Sequence, residues 1–338
     1  INAARLSSDH LRIGYADKQS SVANAWKKWM GQNKGLIELD ALGVKTNLES
    51  EFAKRAAKVG NREFAACVPA IQELNSAYFP YQTARALFIE YIYYGADILN
   101  FANAFQQVIE SGAELEENGE WDSQTEGLKA TVANHFRTYD AATDEAILAA
   151  LTPPYVQYSP RMEFLPESMH GVTDGVAFAA EVFNGSVFDD RQELERLLEK
   201  GNTKLFAKLA KDPAYQLIRS LRSIYFSEVA PVYGDLSEQL NQQTALYTRA
   251  LRELFPDEAF FPDANSTLRL TYGKVEGSAP YDGMRYEPFT THRGILQKYV
   301  PGDTDFDLPI DLVEALRLGD WGVYANADGE LPVCFTGS

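Results

Sequence analysis

Apolar residues recur at the spacing of an α-helix from Leu6 to about Leu254, and polar residues fill the intervening positions. Helical faces carry apolar residues at i, i+3, i+4 and i+7 because 3.6 residues complete one turn. The clearest stripes are Leu194, Leu197, Leu198, Leu205 and Leu209; Leu217, Ile218, Leu221, Ile224 and Tyr225; and Leu236, Leu240, Tyr247, Leu251 and Leu254. The pattern predicts a multi-helix domain with one shared core.

Two segments inside this region need a separate interpretation. Residues 151–166 contain four prolines, which remove backbone donors, so we predict a long connection there rather than a helix. Residues 84–105 form the most apolar stretch of the chain, but they include charged and amide side chains that would be costly in lipid. We therefore predict a core helix over residues 84–105 and no membrane span.

The pattern changes after Phe255. Leu268, Leu270 and Tyr272 alternate with polar residues, which predicts a β-strand. Short strands are also predicted over 286–291 and 321–324, with a short helix over 310–318. So few strands cannot close a sheet. The predicted fold is mainly α, with a helical domain at residues 1–260 and an incomplete β unit at residues 261–338.

Composition limits the classes of partner. The 338 residues include 45% apolar ones, enough for a sizeable core, and 31 basic against 48 acidic residues give a formal net charge of −17. A strongly acidic surface repels phosphate backbones and anionic lipids, so neither nucleic acid nor a membrane is expected as a partner. Residues 1–4 have neither the basic start nor the apolar run of a signal peptide, and the missing initiator Met suggests a fragment or a processed product.

The sequence contains no established metal-binding, nucleotide-binding or nucleophile motif. His10, His135, His170 and His292 lack the spacing of zinc sites, so no metal is predicted. Nucleotide-binding glycine motifs and a Gly-x-Ser-x-Gly elbow are also missing from the sequence, and no cofactor is predicted. Cys67 and Cys334 fall in different predicted regions, so their spacing does not decide whether they form a disulfide.

Two stretches of sequence do carry a family resemblance. The first is YADKQSSVANAWK at residues 15–27, followed by GQNKGL at 31–36. The second is LFPD at 254–257, followed by FPDANSTLRLTYGKVEG at 261–277, then Pro280 and the Thr290-Thr291 pair. Both resemble the bacterial dipeptidyl-peptidase 7 and dipeptidyl-peptidase 11 family. These are serine exopeptidases of the chymotrypsin fold in which a large helical domain is inserted between the halves of a double β-barrel.

The resemblance implies where the catalytic residues lie. In that family the catalytic His and Asp precede the helical domain, and the nucleophilic Ser follows a run matched here by residues 331–335. That Ser belongs to a Thr-Gly-Gly-Asn-Ser-Gly-Ser-Pro segment, and Ser338 follows Cys334 too closely to be it. A hydroxyl also needs a base and an oxyanion hole to react. We therefore expect this chain to contain no catalytic residue and to be inactive alone.

One binding residue is carried over from the family. The asparagine of its Ala-Asn-x-Trp-Lys motif helps to bind the free amino terminus of the peptide, and the matching residue is Asn24. An amide carbonyl can accept a hydrogen bond from an ammonium group without adding a charge. Trp26 and Trp29 are three residues apart on a predicted helix, which favours a place in the core; the alternative is that Trp26 forms a wall of the same cleft.

The resemblance implies a helical substrate-capping domain of a serine dipeptidyl-peptidase, a hydrolase that releases N-terminal dipeptides. The implied partners are a peptide with a free amino terminus, the remaining β-barrel segments and a second copy in a homodimer, in the periplasm or at the cell surface. The acidic or hydrophobic preference at the cleaved residue stays open. The alternatives are a stand-alone helical interaction domain and a catalytically dead, peptide-binding paralogue.

Overall fold

The computed structural model describes residues 1–260, 266–268, 270–303 and 305–336. The helices are α1 (Asn2–Ser7), α2 (Asp9–Gly14), α3 (Ala16–Glu38), α4 (Ala41–Val59), α5 (Arg62–Ile92), α6 (Asp97–Ala104), α7 (Gln106–Glu110), α8 (Gly112–Glu117), α9 (Trp121–His135), α10 (Ala141–Tyr158), α11 (Gly175–Asn184), α12 (Arg191–Lys200), α13 (Thr203–Phe206), α14 (Pro213–Ile224), α15 (Ala230–Leu254), α16 (His292–Lys298) and α17 (Ile310–Leu318). A π-helix at Tyr225–Val229 joins α14 to α15, and the strands are β1 (Phe289–Thr291) and β2 (Pro332–Phe335). The prediction of a mainly α fold is confirmed.

Contacts divide the chain into two units: Ile1 with Gly14–Ala259, and Asn2–Ile13 with Phe260–Ser338. The predicted helical domain includes residues 2–13, whereas their contacts are with the second unit. One such contact is the ion pair between Arg12 and Asp307, with a nitrogen-to-oxygen distance of 2.9 Å. Each unit is described separately below.

The first unit has two main hydrophobic cores, besides a small cluster of Ala84, Phe164 and Val229. The larger one receives the predicted stripes of α12 and α14, with Leu194 and Ile218 fully buried beside Ile98 and Leu148. The smaller one joins α4, α5 and α15 through Phe52, Ala56, Phe64, Cys67, Tyr247, Ala250, Leu254 and Phe255. The predicted stripes of α12, α14 and α15 therefore face cores, although that of α15 contacts the smaller one through Tyr247 and Leu254.

Asparagine and aspartate side chains start many of these helices. Asn61 accepts hydrogen bonds from the Glu63 and Phe64 N–H groups at the start of α5, and Asp212 accepts from the Ala214 and Tyr215 N–H groups at the start of α14. Asp140, Asp174 and Asp190 cap α10, α11 and α12 in the same way. Such caps satisfy N–H groups that have no partner inside the helix.

The predicted connection over residues 151–166 is wrong in its first half, because α10 continues through Pro153 and Pro154 to Tyr158. A proline at position 153 leaves the Ala149 carbonyl without its usual helical donor. Gly175 packs against this carbonyl, and a Cβ atom at Gly175 would lie only 2.0 Å from the Ala149 oxygen. The irregular passage therefore begins at Ser159, and it contains short 3-10 helices at Met162–Phe164 and Glu167–Met169.

The predicted helix over residues 84–105 is buried as expected but is broken into the end of α5 and the whole of α6. The break contains Gly95, where a Cβ atom would lie 2.0 Å from the Tyr91 carbonyl oxygen. Only glycine fits a backbone approach this close. None of the helices in the described parts of the chain has both the length and the hydropathy to cross a bilayer.

The second unit pairs β1 with β2 in antiparallel fashion, with Phe289 opposite Phe335 and Thr290 opposite Cys334. The predicted helix over 310–318 is confirmed as α17, which buries Val313 and Leu316. The strand predicted over 321–324 is wrong, since Gly322–Tyr324 form a 3-10 turn. Gly322 has a φ of 49°, which does not fit extended backbone.

The strand predicted around Leu268, Leu270 and Tyr272 is not formed by the described residues of that segment. These three side chains are 96%, 80% and 89% exposed, so alternation alone does not order a strand without a paired neighbour. Residues 261–265 and Arg269, which belong to the same prediction, lie outside the described residues. Cys67 is a buried free thiol and Cys334 an exposed one, so they do not form a disulfide.

Candidate functional site

Asn24 lies in the first half of α3, and its side chain is exposed. Within the described part of the chain it makes no hydrogen bond, so both polar atoms of its amide are available to a ligand. The amide offers one carbonyl acceptor and two N–H donors. This arrangement can bind an ammonium group through the carbonyl oxygen.

Trp26 and Trp29 are 65% and 62% exposed, so the prediction that they belong to the core is wrong. None of the 23 residues of α3 is buried, which means that α3 stands away from both cores along most of its length. The two rings line a shallow apolar groove of about 440 Å³ together with Met30, Gln32, Asn33 and Leu36.

The apolar groove and Asn24 lie on opposite sides of α3. Successive residues on an α-helix are rotated by about 100°, so Trp26 leaves the axis about 160° away from Asn24. Asn33, nine residues beyond Asn24, is rotated by about 180°. Trp26 therefore does not share a face with Asn24, and this geometry gives no support to Trp26 as a wall of the same cleft.

The first turn of α3 fixes the helix to the rest of the unit. Tyr15, which precedes α3, is 3% exposed, and its hydroxyl lies 3.5 Å from the Asp140 carbonyl oxygen. The Lys18 ammonium group donates to the Gly95 carbonyl at 2.6 Å and to the Asp97 carboxylate at 2.7 Å. These contacts join the base of α3 to the start of α6.

The Asp144 side chain also binds the backbone at the start of α6. Its carboxylate accepts hydrogen bonds from the backbone N–H groups of Asp97 at 2.6 Å and Ile98 at 2.9 Å. Asp144 is fully buried. Burial, reinforced by the nearby Asp97 charge, raises the pKa of Asp144 to about 7, although both N–H bonds favour the ionised form. Asp144 is therefore a cap supplied to α6 by a different helix, α10.

A polar cavity of about 200 Å³ lies beside this anchor, lined by Gly14, Tyr15, Asp17, Lys18, Asp97, His135, Thr138 and Tyr139. Burial lowers the pKa of His135 to about 4, so the imidazole is neutral at pH 7. Its ring stacks on Phe101 with centroids 3.8 Å apart. His135 is thus a packed aromatic residue.

The other histidines with contacts serve local structure. His170 Nε2 lies 3.2 Å from the Leu165 carbonyl oxygen, and His292 Nδ1 accepts the Leu331 backbone N–H at 3.3 Å. In the residues that the structure describes, no histidine side chain hydrogen-bonds to a hydroxyl or a thiol. Ser338, which the sequence analysis did not assign as a nucleophile, lies outside the described residues.

The described residues place no three His, Cys, Asp or Glu side chains in a group suited to a metal ion. A second groove of about 750 Å³ lies along α14 and is lined by residues including Glu181, Gln216, Arg219 and Ser220, but α3 contributes nothing to it. We therefore take the exposed face of α3 that carries Asn24 as the candidate site.

The sequence alone does not single out Lys18, Asp97 or Asp144. A signal existed for Asp97, since it is a charged residue inside the most apolar stretch of the chain. Its partner Lys18 is 79 residues away, and no local pattern links the two. Only the packing of three helices at one point brings these residues together.

Comparison with known proteins identifies what this fold is similar to. The model of the family described as Peptidase S46 matches residues 1–338. An Asp/Glu-specific dipeptidyl-peptidase of Flavobacterium psychrophilum is 33% identical over 329 residues, which cover 97% of this chain and 46% of that protein. A dipeptidyl-peptidase 7 of Phocaeicola vulgatus is 28% identical over 344 residues, with 97% and 46% covered.

Solved structures agree in fold. The crystal structure of Porphyromonas endodontalis DPP11 in complex with the dipeptide Arg-Glu matches with a TM-score of 0.69 at 20% identity, covering 98% of this chain and 47% of that one. The complex of the same protein with Arg-Asp gives a TM-score of 0.69 at 21% identity. The chain thus spans about half the length of the relatives and structures it matches.

Proposed function

Because the chain belongs to the peptidase S46 family, we propose that it is the helical substrate-capping part of a serine dipeptidyl-peptidase, which releases dipeptides from the amino termini of peptides. The relatives named above are dipeptidyl-peptidases, and they are about twice as long as this chain. The proposed activity therefore belongs to a protein of the relatives' length, of which these residues provide the part that binds the substrate.

The observation that carries this proposal is that the Asn24 side chain is exposed and has no hydrogen-bond partner among the described residues. Asn24 lies within α3, none of whose residues is buried, and no described residue hydrogen-bonds to its amide. An exopeptidase must distinguish a free amino terminus from an internal peptide bond, and the ammonium group is the feature that differs. The Asn24 carbonyl oxygen would accept a charge-assisted hydrogen bond from it, worth about 1.5–3 kcal/mol.

A fixed acceptor for the amino terminus also sets the length of the product. If the ammonium group is held at one point, only one peptide bond reaches the nucleophile, and the released fragment has a constant length. We propose that the nucleophile, its base and its orienting acid form a Ser-His-Asp triad outside the described residues. The contacts of His135, His170 and His292 with an aromatic ring and with backbone groups support this part of the proposal.

Product analysis tests the activity. The longest reading frame that contains these 338 residues is incubated with a ten-residue peptide carrying a free amino terminus, and with the same peptide after amino-terminal acetylation. We expect mass spectrometry to find dipeptides from the free peptide and intact acetylated peptide. The 338 residues alone should release nothing from either peptide.

Other outcomes of this experiment decide against the proposal. Cleavage of the acetylated peptide at the same rate would show that no group binds the amino terminus. Binding of the free peptide without any product would indicate the catalytically dead paralogue, and neither binding nor cleavage would indicate an interaction domain. The periplasmic or cell-surface location and the homodimer stay predictions, which cell fractionation and light scattering would test.

A further inference from the structure

The position of Asn24 depends on very few contacts. The residues of α3 are all exposed or half-buried, and in the described part of the chain its side-chain hydrogen bonds to the rest of the unit come from Lys18. That side chain is only 16% exposed, and it makes two short hydrogen bonds through one ammonium group. Beyond this point the described polar contacts of α3 stay within the helix, such as the Lys34–Glu38 pair at 3.6 Å.

The backbone beside the group that Lys18 binds is held by hydrogen bonds to a buried side chain. The Asp97 and Ile98 N–H groups are held by the buried Asp144 carboxylate, and Ile98 is fully buried in the larger core. Asn100 adds a hydrogen bond from its side-chain amide to the Ile92 carbonyl at 2.6 Å, across the break between α5 and α6. Lys18 therefore attaches α3 to a hydrogen-bonded segment that is packed into the larger core.

A tilt of α3 at this attachment would displace Asn24. Asn24 follows Lys18 by six residues, which is about 9 Å along the helix axis. A tilt of about 10° at the base would move Asn24 by about 1.5 Å, and a misplacement of about 1 Å can lower a catalytic rate by about 100-fold. A small tilt of α3 at Lys18 therefore displaces the Asn24 amide.

We propose that Lys18 is a positioning residue, which sets the place of Asn24 by holding the base of α3 against the Gly95 carbonyl and the Asp97 carboxylate. Lys18 itself does not touch the peptide. This inference rests on the proposed function, because it assigns Lys18 a role in binding the amino terminus through Asn24.

A double-mutant cycle tests the inference in the full-length protein. Lys18→Met keeps most of the side-chain volume but removes the ammonium group, and Lys34→Met is its control because it removes a lysine from the same helix beyond Asn24. We expect Lys18→Met to lower kcat/KM for an unblocked peptide about tenfold or more, chiefly by raising KM. Lys34→Met should leave kcat/KM within about twofold, and Lys18→Arg should restore most of it.

The decisive comparison uses Asn24→Ala as the background. If Lys18 acts through Asn24, adding Lys18→Met to Asn24→Ala should change kcat/KM by less than about twofold, since coupled residues are not additive. The same loss in both backgrounds, or wild-type kinetics for Lys18→Met alone, overturns the inference and leaves the proposed function standing. Wild-type kinetics for Asn24→Ala would instead overturn the role of Asn24, and the inference with it.

A milder variant covers the case in which Lys18→Met does not fold. Asp97→Asn weakens the ion pair while keeping the side-chain shape and the backbone N–H that Asp144 binds. We expect the same non-additive pattern with a smaller loss. Circular dichroism at the assay temperature confirms that each variant is folded, and a folded Asp97→Asn protein with additive kinetics contradicts the positioning role.

Discussion

Lys18 Nζ lies 2.7 Å from Asp97 Oδ1, although 79 residues separate the two along the chain. This contact joins the base of the most exposed long helix to the start of a helix in the larger core. Asp144 completes the junction from a third helix by binding the backbone at Asp97 and Ile98. The candidate site on α3 therefore rests on a polar junction in which Asp144 is buried, and the contribution of Asp144 to the stability of the fold can be measured directly.

The first prediction concerns Asp144. Its pKa is raised from 3.8 to about 7 in the folded protein, so the folded state binds more protons than the unfolded state between these values. The stabilisation from this group is complete below about pH 4 and is lost as pH rises through about 7. Relative to Asp144→Asn, the wild type should gain about 1 kcal/mol of unfolding free energy per pH unit between pH 7 and 5.

Urea unfolding followed by circular dichroism at several pH values measures this difference. His135, whose lowered pKa gives the opposite pH dependence, is present in both proteins, so its contribution cancels. A difference between the two proteins that stays constant over this pH range would mean that Asp144 is ionised throughout. The two N–H bonds would then outweigh its burial.

The second prediction compares two glycines. Gly175→Ala should lower the free energy of unfolding by about 1–3 kcal/mol, because the new Cβ atom would lie 2.0 Å from the Ala149 oxygen and 2.8 Å from Pro153. Gly127→Ala, inside α9 with no atom within 4 Å of the new Cβ other than nearby backbone of its own helix, should raise it by about 0.5–1 kcal/mol. Equal effects of the two changes in urea unfolding would show that α10 and α11 are not packed this closely.

The third prediction concerns the tryptophans of α3. Trp26→Ala should change the unfolding free energy of the 338-residue chain by less than about 0.5 kcal/mol, because the side chain is 65% exposed. Phe52→Ala, at a residue 1% exposed in the smaller core, should cost about 3–5 kcal/mol. A comparable loss for both variants would place Trp26 in a core.

Helical periodicity predicted the stripes of α12, α14 and α15 and the whole of α17, because local amphipathic spacing reflects which face is buried. The same logic failed for Trp26 and Trp29, whose spacing shows that they share a face but not that anything covers it. Pro153 and Pro154 misled the prediction in another way, since a helix tolerates missing donors where packing around them is favourable, as at Gly175.

The candidate site was predictable only in part. The motif around Asn24 pointed to one amide on a helix, and the structure shows that amide exposed. The anchor of that helix could not be predicted, because Lys18, Gly95, Asp97 and Asp144 come from separate elements and meet only after folding. Alternation at Leu268, Leu270 and Tyr272 likewise says nothing about whether a partner strand is available.

The most direct test of the account compares two asparagines on one helix in the full-length protein. Asn24→Ala removes the proposed acceptor, and Asn33→Ala removes the same group from the opposite face of α3. With an unblocked peptide, Asn24→Ala should lower kcat/KM about 10- to 150-fold, the equivalent of one charge-assisted hydrogen bond, and Asn33→Ala should leave it within about twofold. Equal kcat/KM values for the two variants would contradict the central claim that Asn24 binds the amino terminus of the substrate.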